Sequence, residues 1–387
     1  MQKLIDFLKK EVVLVVAVVL AIVSMFVVTP DKEYIDYIDF STLSILFSLM
    51  AVMAGLQTAG VFREIAEALL GKVRKVWQLV LILVMLCFFF SMFITNDVAL
   101  ITFVPFTFII LELLGGETEQ KLIIPVVVLQ TIAANLGSML TPIGNPQNLY
   151  LYGQAGIGIV EFMQILLPYT VVSFLLLLVL CLYFGKKGAQ GGTTQAMERF
   201  QNRTSQTHLS GSKWDILRYL VLFVLCLFTV AKVKWFPYWV TLIVVVAALV
   251  LFDRKLFARI DYSLLLTFVG FFVFIGNMGR IPAFRDFLQG IIAGNEVLTA
   301  VISSQVISNV PAALLLSGFT DNYEALILGT NLGGLGTLIA SMASLISYKY
   351  IVKENKCSKG AYFGFFTIAN IVFLAVLLLL WIVLSGL

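Results

Sequence analysis

Residues 135 to 144 read Asn-Leu-Gly-Ser-Met-Leu-Thr-Pro-Ile-Gly, and residues 331 to 340 read Asn-Leu-Gly-Gly-Leu-Gly-Thr-Leu-Ile-Ala. The two stretches align at an offset of 196. Two other pairs precede them in the same order, at offsets of 213 and 222: Asn96 with Asn309, and Phe62 with Phe284. Ordered matches whose offset shrinks steadily along the chain indicate an internal repeat in which the second copy has shorter loops.

The composition places this repeat in a membrane. The chain has 387 residues, of which 60% are apolar and 12% are charged, whereas ordinary soluble domains have about 25% charged residues. A membrane crossing takes about 20 apolar residues, so the chain has enough for roughly ten crossings. These values exclude a soluble enzyme, and the modest net charge of +4 gives no reason to expect a nucleic-acid partner.

The apolar segments outline an all-α polytopic protein embedded in the lipid bilayer. Nine segments are predicted to cross it, at residues 12–29, 41–60, 122–152, 161–184, 214–231, 237–252, 262–279, 324–348 and 361–385. Two more segments, 77–114 and 297–318, are interrupted by polar residues. They are predicted to be re-entrant hairpins, because unsatisfied backbone is costly in hydrocarbon unless it lines a protein-buried or wet cavity. The apolar run from Val12 is too long for a cleaved signal and predicts an uncleaved first helix.

The lysines and arginines test this topology. With the N-terminus inside, 21 of the 26 fall in predicted cytoplasmic pieces and five in outside pieces, as the positive-inside rule requires. The sequence therefore predicts a cytoplasmic N-terminus and an outside C-terminus. Residues 185–213 are predicted to be a cytoplasmic linker that holds the sole histidine, His208, as a solvated side chain. The four widely spaced cysteines are expected to be packing residues.

Each half of the chain has its own hairpin and its own broken helix. Residues 1–184 form the first predicted repeat and residues 232–387 the second. The additional crossing 214–231 reverses the direction in which the second copy enters the membrane, so the repeats are expected to have inverted topology. The broken helices are predicted at about 122–152 and about 324–348. Inverted repeats with interrupted helices are the architecture of secondary transporters.

The broken helices carry the residues that point to a binding site. Residues 141–148 include two prolines, one glycine and three carboxamides, and residues 337–344 are small and rich in hydroxyls. An unwound helix exposes carbonyl oxygens that suit Na⁺ and N–H groups that suit an anion. If each hairpin tip lies against the break in its own half, the candidate ligands are Ser91, Thr95, Asn96, Asp97, Gly144, Asn145 and Asn148, and Ser304, Ser308, Asn309, Thr337, Ala340, Ser341 and Ser344.

Some of these residues have a structural alternative. Small and hydroxyl side chains also pack membrane helices closely, whereas buried carboxamides need partners that plain packing rarely supplies. This difference favours a functional role for the four asparagines. Asp97 is an acid in an apolar hairpin and aligns with Val310. It is a candidate proton carrier or cation ligand, and its alternative role is to cap a helix that begins at Val98.

At these motifs the sequence resembles the ion transporter superfamily that contains the divalent-anion/sodium symporters, the citrate transporter-like proteins, the arsenite efflux permeases and a branch of sodium/proton antiporters. The likeness covers nearly the whole chain and is carried by residues 95–100, 141–148 and 304–311. The chain is similar to small bacterial inner-membrane members of that group. The resemblance implies a homodimer, a scaffold domain, a transport domain built from the hairpins and broken helices, and an elevator-like motion.

The resemblance and the helix breaks together give the expected roles of individual residues. The resemblance implies the roles of the tip residues, of the serines one turn earlier, and of Gly144 and Ala340; the roles of the other residues follow from the breaks and from the charge of Asp97. Substrate-binding residues are expected to be Thr95, Asn96, Asn145, Asn148, Ser308, Asn309, Thr337 and Ser341. Cation-binding residues, for Na⁺ or H⁺, are expected to be Ser91, Asn96, Asp97, Gly144, Ser304, Asn309 and Ala340. The dicarboxylate symporters read Ser-Asn-Thr at each tip, whereas the third positions here are Asp97 and Val310. An Asn-Asp pair at this place is similar to the arsenite permeases.

The sequence therefore predicts a secondary transporter, coupled to Na⁺ or H⁺, of a small anion or organic acid such as citrate. The alternative is an efflux antiporter that exchanges an arsenite-like oxyanion or Na⁺ for protons. No cofactor or metal centre is expected beyond a bound Na⁺. An intramembrane enzyme is disfavoured because the chain has no HExxH or GxSxG string and its histidine lies in the linker. A channel is disfavoured because two pseudo-symmetric gates fit alternating access better.

Overall fold

The computed structural model describes residues 11–188, 212–233 and 235–386. Throughout these residues the regular structure is helical, with no strand among them, so the predicted all-α class is confirmed. His208 and most of the predicted linker lie outside the described residues, as do Lys3, Lys9, Lys10 and Lys234 of the charge count.

Nine α-helices lie in residues 11–188. They are α1 (Val12–Val27), α2 (Glu33–Asp36), α3 (Phe40–Thr58), α4 (Val61–Leu70), α5 (Val76–Ile94), α6 (Asn96–Leu114), α7 (Gly116–Ser138), α8 (Pro146–Ala155) and α9 (Ile159–Lys187). Local chemistry sets several of their ends. Asp39 caps α3 by accepting a hydrogen bond from the Thr42 N–H (2.9 Å), and Gly60, with φ of 83°, ends α3 and starts α4. Helix α9 extends three residues into the predicted linker.

Nine more α-helices follow. They are α10 (Lys213–Val230), α11 (Tyr238–Phe252), α12 (Tyr262–Gly279), α13 (Pro282–Ile292), α14 (Glu296–Ile307), α15 (Asn309–Ser317), α16 (Tyr323–Leu332), α17 (Met342–Glu354) and α18 (Lys359–Ser385). A short 3-10 helix, Arg254–Arg259, joins α11 to α12. The helix predicted across 122–152 is interrupted between α7 and α8, and the one predicted across 324–348 is interrupted between α16 and α17.

Helix lengths and composition agree with a multi-pass membrane protein. Seven of the described helices are long and apolar enough to cross a membrane, or eight spans if α13 and α14, which meet at 107°, count as one. The predicted nine crossings, the inverted topology and the sidedness stay predictions. The arms α14 and α15 have 12 and 9 residues, too short for a hydrocarbon layer of about 30 Å at about 1.5 Å per residue. The arms α5 and α6 have 19 residues each, so their length fits either a re-entrant hairpin or two crossings.

The helices pack in two groups. The first group consists of α1, α3, α10, α11 and α12: α1 packs along α12, and α3 packs against α10 and α11 and, less extensively, against α12. The hairpins and broken helices form the other group around α7, whose residues from Val126 to Ser138 are all buried. The close approach of α1 to α12 depends on small side chains, since a Cβ at Gly270 would lie 3.0 Å from the Ala17 backbone. The second group holds every candidate ligand named above.

Candidate functional site

Each hairpin turns at a single residue. Thr95 separates α5 from α6 with φ of 69° and ψ of 151°, and Ser308 separates α14 from α15 with φ of 73° and ψ of 154°. A positive φ is uncommon for residues other than glycine, and such backbone is held by its surroundings, often at functional sites. The two tips therefore share one unusual conformation, at positions that the repeat aligns.

Each tip lies against the helix break in its own half. The Asn96 N–H donates a hydrogen bond to the Gly144 carbonyl (3.1 Å), and the Asn309 N–H donates to the Ala340 carbonyl (2.9 Å). The four residues occupy matched positions in the two halves. The structure therefore has two tip and break pairs, each formed by a hairpin tip and the helix break that it contacts. Every candidate ligand lies at one of these two pairs.

A second pair of hydrogen bonds ties the breaks to the hairpins. The Thr141 hydroxyl donates to the Met92 carbonyl, and the Thr337 hydroxyl donates to the Gln305 carbonyl (3.1 Å). Gln305 occupies the position matched to Met92 and also contacts the break through its side chain. Its amide donates to two carbonyls of the break, those of Gly333 (3.0 Å) and Leu335 (2.9 Å). Its side chain replaces partners that the unwound helix has lost.

The hairpin arms contact the broken helices through glycine. A Cβ at Gly137 would lie 2.0 Å from the Phe88 carbonyl oxygen and 2.6 Å from Ser91 Oγ, and a Cβ at Gly333 would lie 2.5 Å from Ser304 Oγ. Both serine hydroxyls donate to carbonyls of their own helices. Each serine is buried at the contact of an arm with a broken helix, and within the described ranges no group donates a hydrogen bond to either hydroxyl oxygen.

Asn135, just before the first break, bonds residues of both halves. Its side-chain oxygen accepts from the Asn96 amide at the first tip (3.1 Å) and from the Ser341 hydroxyl at the second break (3.0 Å). Its amide donates to the Gly334 carbonyl, also at the second break (3.4 Å). Asn135 is thus the link between the first tip and the second break.

Asn331 occupies the matched position before the second break and bonds the first. Its side-chain oxygen accepts from the Asn145 amide (3.1 Å), and its amide donates to the Asn148 side-chain oxygen (2.6 Å). Asn135 and Asn331 were not among the candidate ligands. The signal for them was present, since each begins one of the two aligned stretches and a buried carboxamide needs polar partners.

The residues at the two breaks also hold the backbone open. The Asn145 carboxamide accepts from the Asn148 N–H (2.9 Å) and caps α8. The Asn148 amide donates to the Met139 and Thr141 carbonyls (3.1 and 3.2 Å). At the second break Ser341 caps α17. The matched residue to Asn148 is Ser344, whose buried hydroxyl has no hydrogen-bond partner among the described residues.

Both tips open into cavities. Thr95, Asp97 and Asn145 line one of about 190 Å³ together with Arg259, while Ser308, Val310, Met342 and Lys349 line one of about 330 Å³. Asp261 and Leu264, at the start of α12, line both. The two cavities therefore reach the same end of α12, and each lies between the two groups of helices.

Asp97 does not act as the predicted helix cap. Helix α6 begins at Asn96, before Asp97, and one buried carboxylate oxygen of Asp97 has no hydrogen-bond partner in the described part of the chain. The Asp97 N–H instead donates to the Asn96 side-chain oxygen (2.9 Å). The aspartate therefore presents its carboxylate to the first cavity, where Val310 stands at the matched tip.

The two tip and break pairs present oxygen atoms that can bind a cation and helix N-termini that can bind an anion. No group of three or more His, Cys, Asp or Glu side chains suited to a metal ion occurs in the described ranges. The oxygens at hand are main-chain carbonyls, carboxamides, hydroxyls and, at the first tip, one carboxylate. The N-termini of α6 and α8 adjoin at the first pair and those of α15 and α17 at the second, and helix N-termini favour anions.

Comparison with known proteins agrees with this architecture. A family profile described as "Citrate transporter" matches residues 4–322. The chain is 34% identical over 280 residues to the uncharacterised transporter MJ0456 of Methanocaldococcus jannaschii, covering 71% of this chain and 72% of that one. It is 31% identical over 299 residues to the inner membrane protein YbiR of Escherichia coli, covering 76% and 75%. It is also 29% identical over 139 residues to the silicon efflux transporter LSI3 of Oryza sativa, covering 35% and 27%. The chain therefore belongs to the citrate transporter family and is a multi-pass membrane transporter of anions rather than an enzyme.

Proposed function

We propose that this chain is a secondary transporter that carries a small organic anion such as citrate, coupled to Na⁺ or H⁺, by alternating access. The observation that carries the proposal is the pair of one-residue tips, each hydrogen-bonded through its main chain to the break of a helix in its own half. Such pairs place cation-binding carbonyls and anion-binding N–H groups side by side within the protein.

The anion is proposed to bind at the second pair, with the first pair contributing. Here the N-termini of α15 and α17 adjoin, and the Ser308 hydroxyl and Lys349 line the same cavity. Partial positive charge from the two helix ends favours a carboxylate or an oxyanion, and Lys349 offsets one of the two acids, Glu11 and Asp261, that line the same cavity. Val310, in place of the hydroxyl that dicarboxylate symporters carry, argues for a substrate held by fewer side-chain hydroxyls.

The coupling cation is proposed to bind beside the Gly144 and Ala340 carbonyls. The Gly144 carbonyl accepts one hydrogen bond from its tip and has a second lone pair for a cation. The Ala340 carbonyl accepts from the Asn309 N–H and also from the Ser308 hydroxyl (3.4 Å), so a cation there would replace the longer of the two bonds. At the first pair the Asp97 carboxylate adds a negative charge, which stabilises a bound cation or carries a proton. This charge difference between the tips supports a cation site mainly in the first half.

The two groups of helices supply the moving parts. The cavities lie between the groups and share Asp261, which the charge count predicts to be on the cytoplasmic side, so this conformation is proposed to face inward. The Gln57 amide on α3 donates to the Thr102 hydroxyl on α6 (3.2 Å), a bond between the groups. An elevator-like movement of one group along the other would break it.

A second candidate function is efflux in exchange for protons. Two observations favour it. One carboxylate oxygen of Asp97 at the first cavity has no hydrogen-bond partner among the described residues, and the chain is similar over part of its length to a protein named as a silicon efflux transporter. In this scheme Asp97 would release its proton as the exported solute binds.

Uptake by the purified chain in proteoliposomes separates the two functions. Labelled citrate, succinate and arsenite are offered with Na⁺, with K⁺ and across a pH step, to wild type and to Asp97→Asn, with the exposed acid variant Asp286→Asn as the matched control. Citrate or succinate uptake that depends on a cation gradient supports the first function. Proton release on adding arsenite or Na⁺, lost in Asp97→Asn and kept in Asp286→Asn, with no organic-acid uptake, supports efflux and overturns the first.

A further inference from the structure

We propose that Asn135 and Asn331 couple the two tip and break pairs, so that binding at one pair changes the affinity of the other. The inference deepens the proposed function and rests on it for the identity of the occupants, a cation and an anion. Both asparagines are positioning residues in this account, since they act through the residues that they hold.

The bonds run crosswise between the halves. Asn135 stands before the first break and accepts from Ser341, which caps the helix after the second break. Asn331 stands before the second break and accepts from Asn145, which caps the helix after the first. The matched positions thus exchange partners, and both caps depend on a carboxamide from the opposite half. Asn135 and Asn331 are both nearly fully buried, at 4% and 3% exposed, so water does not replace these bonds.

Asn135 shows how the coupling would work. Its side-chain oxygen accepts at once from Asn96, a proposed cation ligand, and from Ser341. If the Asn96 side chain turns its own oxygen toward a cation, the amide is withdrawn from Asn135. The Asn135 oxygen then has Ser341 as its remaining side-chain donor, which fixes the cap of α17 and with it the N-terminus that faces the anion. Two sites joined through a shared acceptor are energetically coupled.

The cation dependence of uptake tests the proposal. Initial citrate uptake by the full chain is measured against Na⁺ concentration, and against proton concentration, for wild type, Asn135→Leu and Asn370→Leu. Asn370 is the matched control, because it is buried in α18 and bonds only the Phe366 carbonyl of its own helix among the described residues. The KM for citrate, determined at each cation concentration, is expected to fall about tenfold between low and saturating cation in wild type and in Asn370→Leu, and by less than about threefold in Asn135→Leu, because coupled sites change each other's affinity by the same factor.

Ser341→Ala removes the same bond from the other side and is the variant to use if Asn135→Leu fails to fold, as judged by its elution and thermal transition in detergent. It is expected to reduce the effect of the cation on the KM for citrate in the same way. A wild-type effect of the cation on the KM for citrate in a folded Asn135→Leu or Ser341→Ala protein would overturn the proposal.

A labelling experiment tests the coupling between the two pairs even if the wild type transports no citrate. Val98→Cys places a reporter thiol in the first cavity, in a Cys357→Ser background, since the other three cysteines are buried. Ser341→Ala, at the second break, is expected to change its alkylation rate by about threefold with Asn135 present and by less than half of that in the Asn135→Leu background. If Ser341→Ala changes the alkylation rate equally in both backgrounds, Asn135 does not couple the two pairs. If the labelling behaves as expected but no citrate is taken up, the coupling stands and only the proposed function is contradicted.

Discussion

Gly137 is the position at which a single methyl group should separate a hairpin from its helix break. A Cβ there would lie 2.0 Å from the Phe88 carbonyl oxygen, whereas side-chain carbons essentially never come within 3.0 Å of such an atom. In Gly137→Ala, α5 and α7 must therefore move apart by at least 1.0 Å, the difference of the two distances. Overpacking of this kind costs about 1–3 kcal/mol of folding free energy, and a displacement of about 1 Å at a binding site costs up to about 100-fold in rate.

Thermal unfolding in detergent and citrate uptake in proteoliposomes measure the two effects. Gly364→Ala on α18 is the control, because no heavy atom lies within 4 Å of a Cβ there; it should leave uptake at the wild-type value and should not lower stability, since alanine is the better helix former. Ser91→Gly should fail to rescue Gly137→Ala, since the obstacle is the Phe88 main chain. At the matched position Ser304→Gly should partly rescue Gly333→Ala, because there the nearest atoms belong to a side chain. Wild-type stability and uptake in Gly137→Ala would refute the contact of hairpin and break.

Three further outcomes are expected. Thr337→Val and Thr141→Val each remove the hydroxyl that ties a break to its hairpin, and each should lower the unfolding free energy by about 1 kcal/mol in chemical denaturation; no loss in either would show that the bond is absent. Lys349→Gln should raise the KM for the anion several-fold with little change in kcat, while Lys353→Gln, one turn away on α17, should not; equal effects would remove Lys349 from the site. A coupling cation at about 100 times its Kd should stabilise wild type by about 2.7 kcal/mol, and this gain should shrink in Asp97→Asn; a cation that stabilises both proteins equally would exclude Asp97 as its ligand.

The repeat made the positions of the breaks predictable from the sequence. Pro142 and Pro146 cannot continue a helix, and alignment transferred that break to residues 337–344, where no proline occurs. The structure has the second break at residues 333–341, a few residues earlier. The tips were predictable for a similar reason, because polar triplets inside apolar runs have no other stable place in hydrocarbon. Helix ends shifted by a few residues, as at α9, since capping and packing set them rather than hydropathy.

The bonds between the halves could not be predicted. Periodicity and hydropathy say which segment a residue belongs to, whereas the pairing of Asn135 with Ser341 depends on how α7 packs on the second half in three dimensions. Gln305 was not predicted for the same reason, because the sequence does not show which carbonyls a single glutamine in an apolar arm bonds. The choice between a ligand and a cap at Asp97 depended on where α6 begins, a boundary that hydropathy does not resolve.

The most direct test of the central claim is accumulation of labelled citrate against its concentration gradient under an imposed Na⁺ or proton gradient. It is measured for wild type, for Asn309→Ala at the second tip and for the buried control Asn370→Ala. We predict accumulation by wild type and Asn370→Ala that collapses when an ionophore dissipates the cation gradient, and loss of accumulation in Asn309→Ala. Accumulation that is the same in a folded Asn309→Ala protein, or that is indifferent to both cation gradients, would contradict the claim that the paired tips and breaks form the site of an ion-coupled transporter.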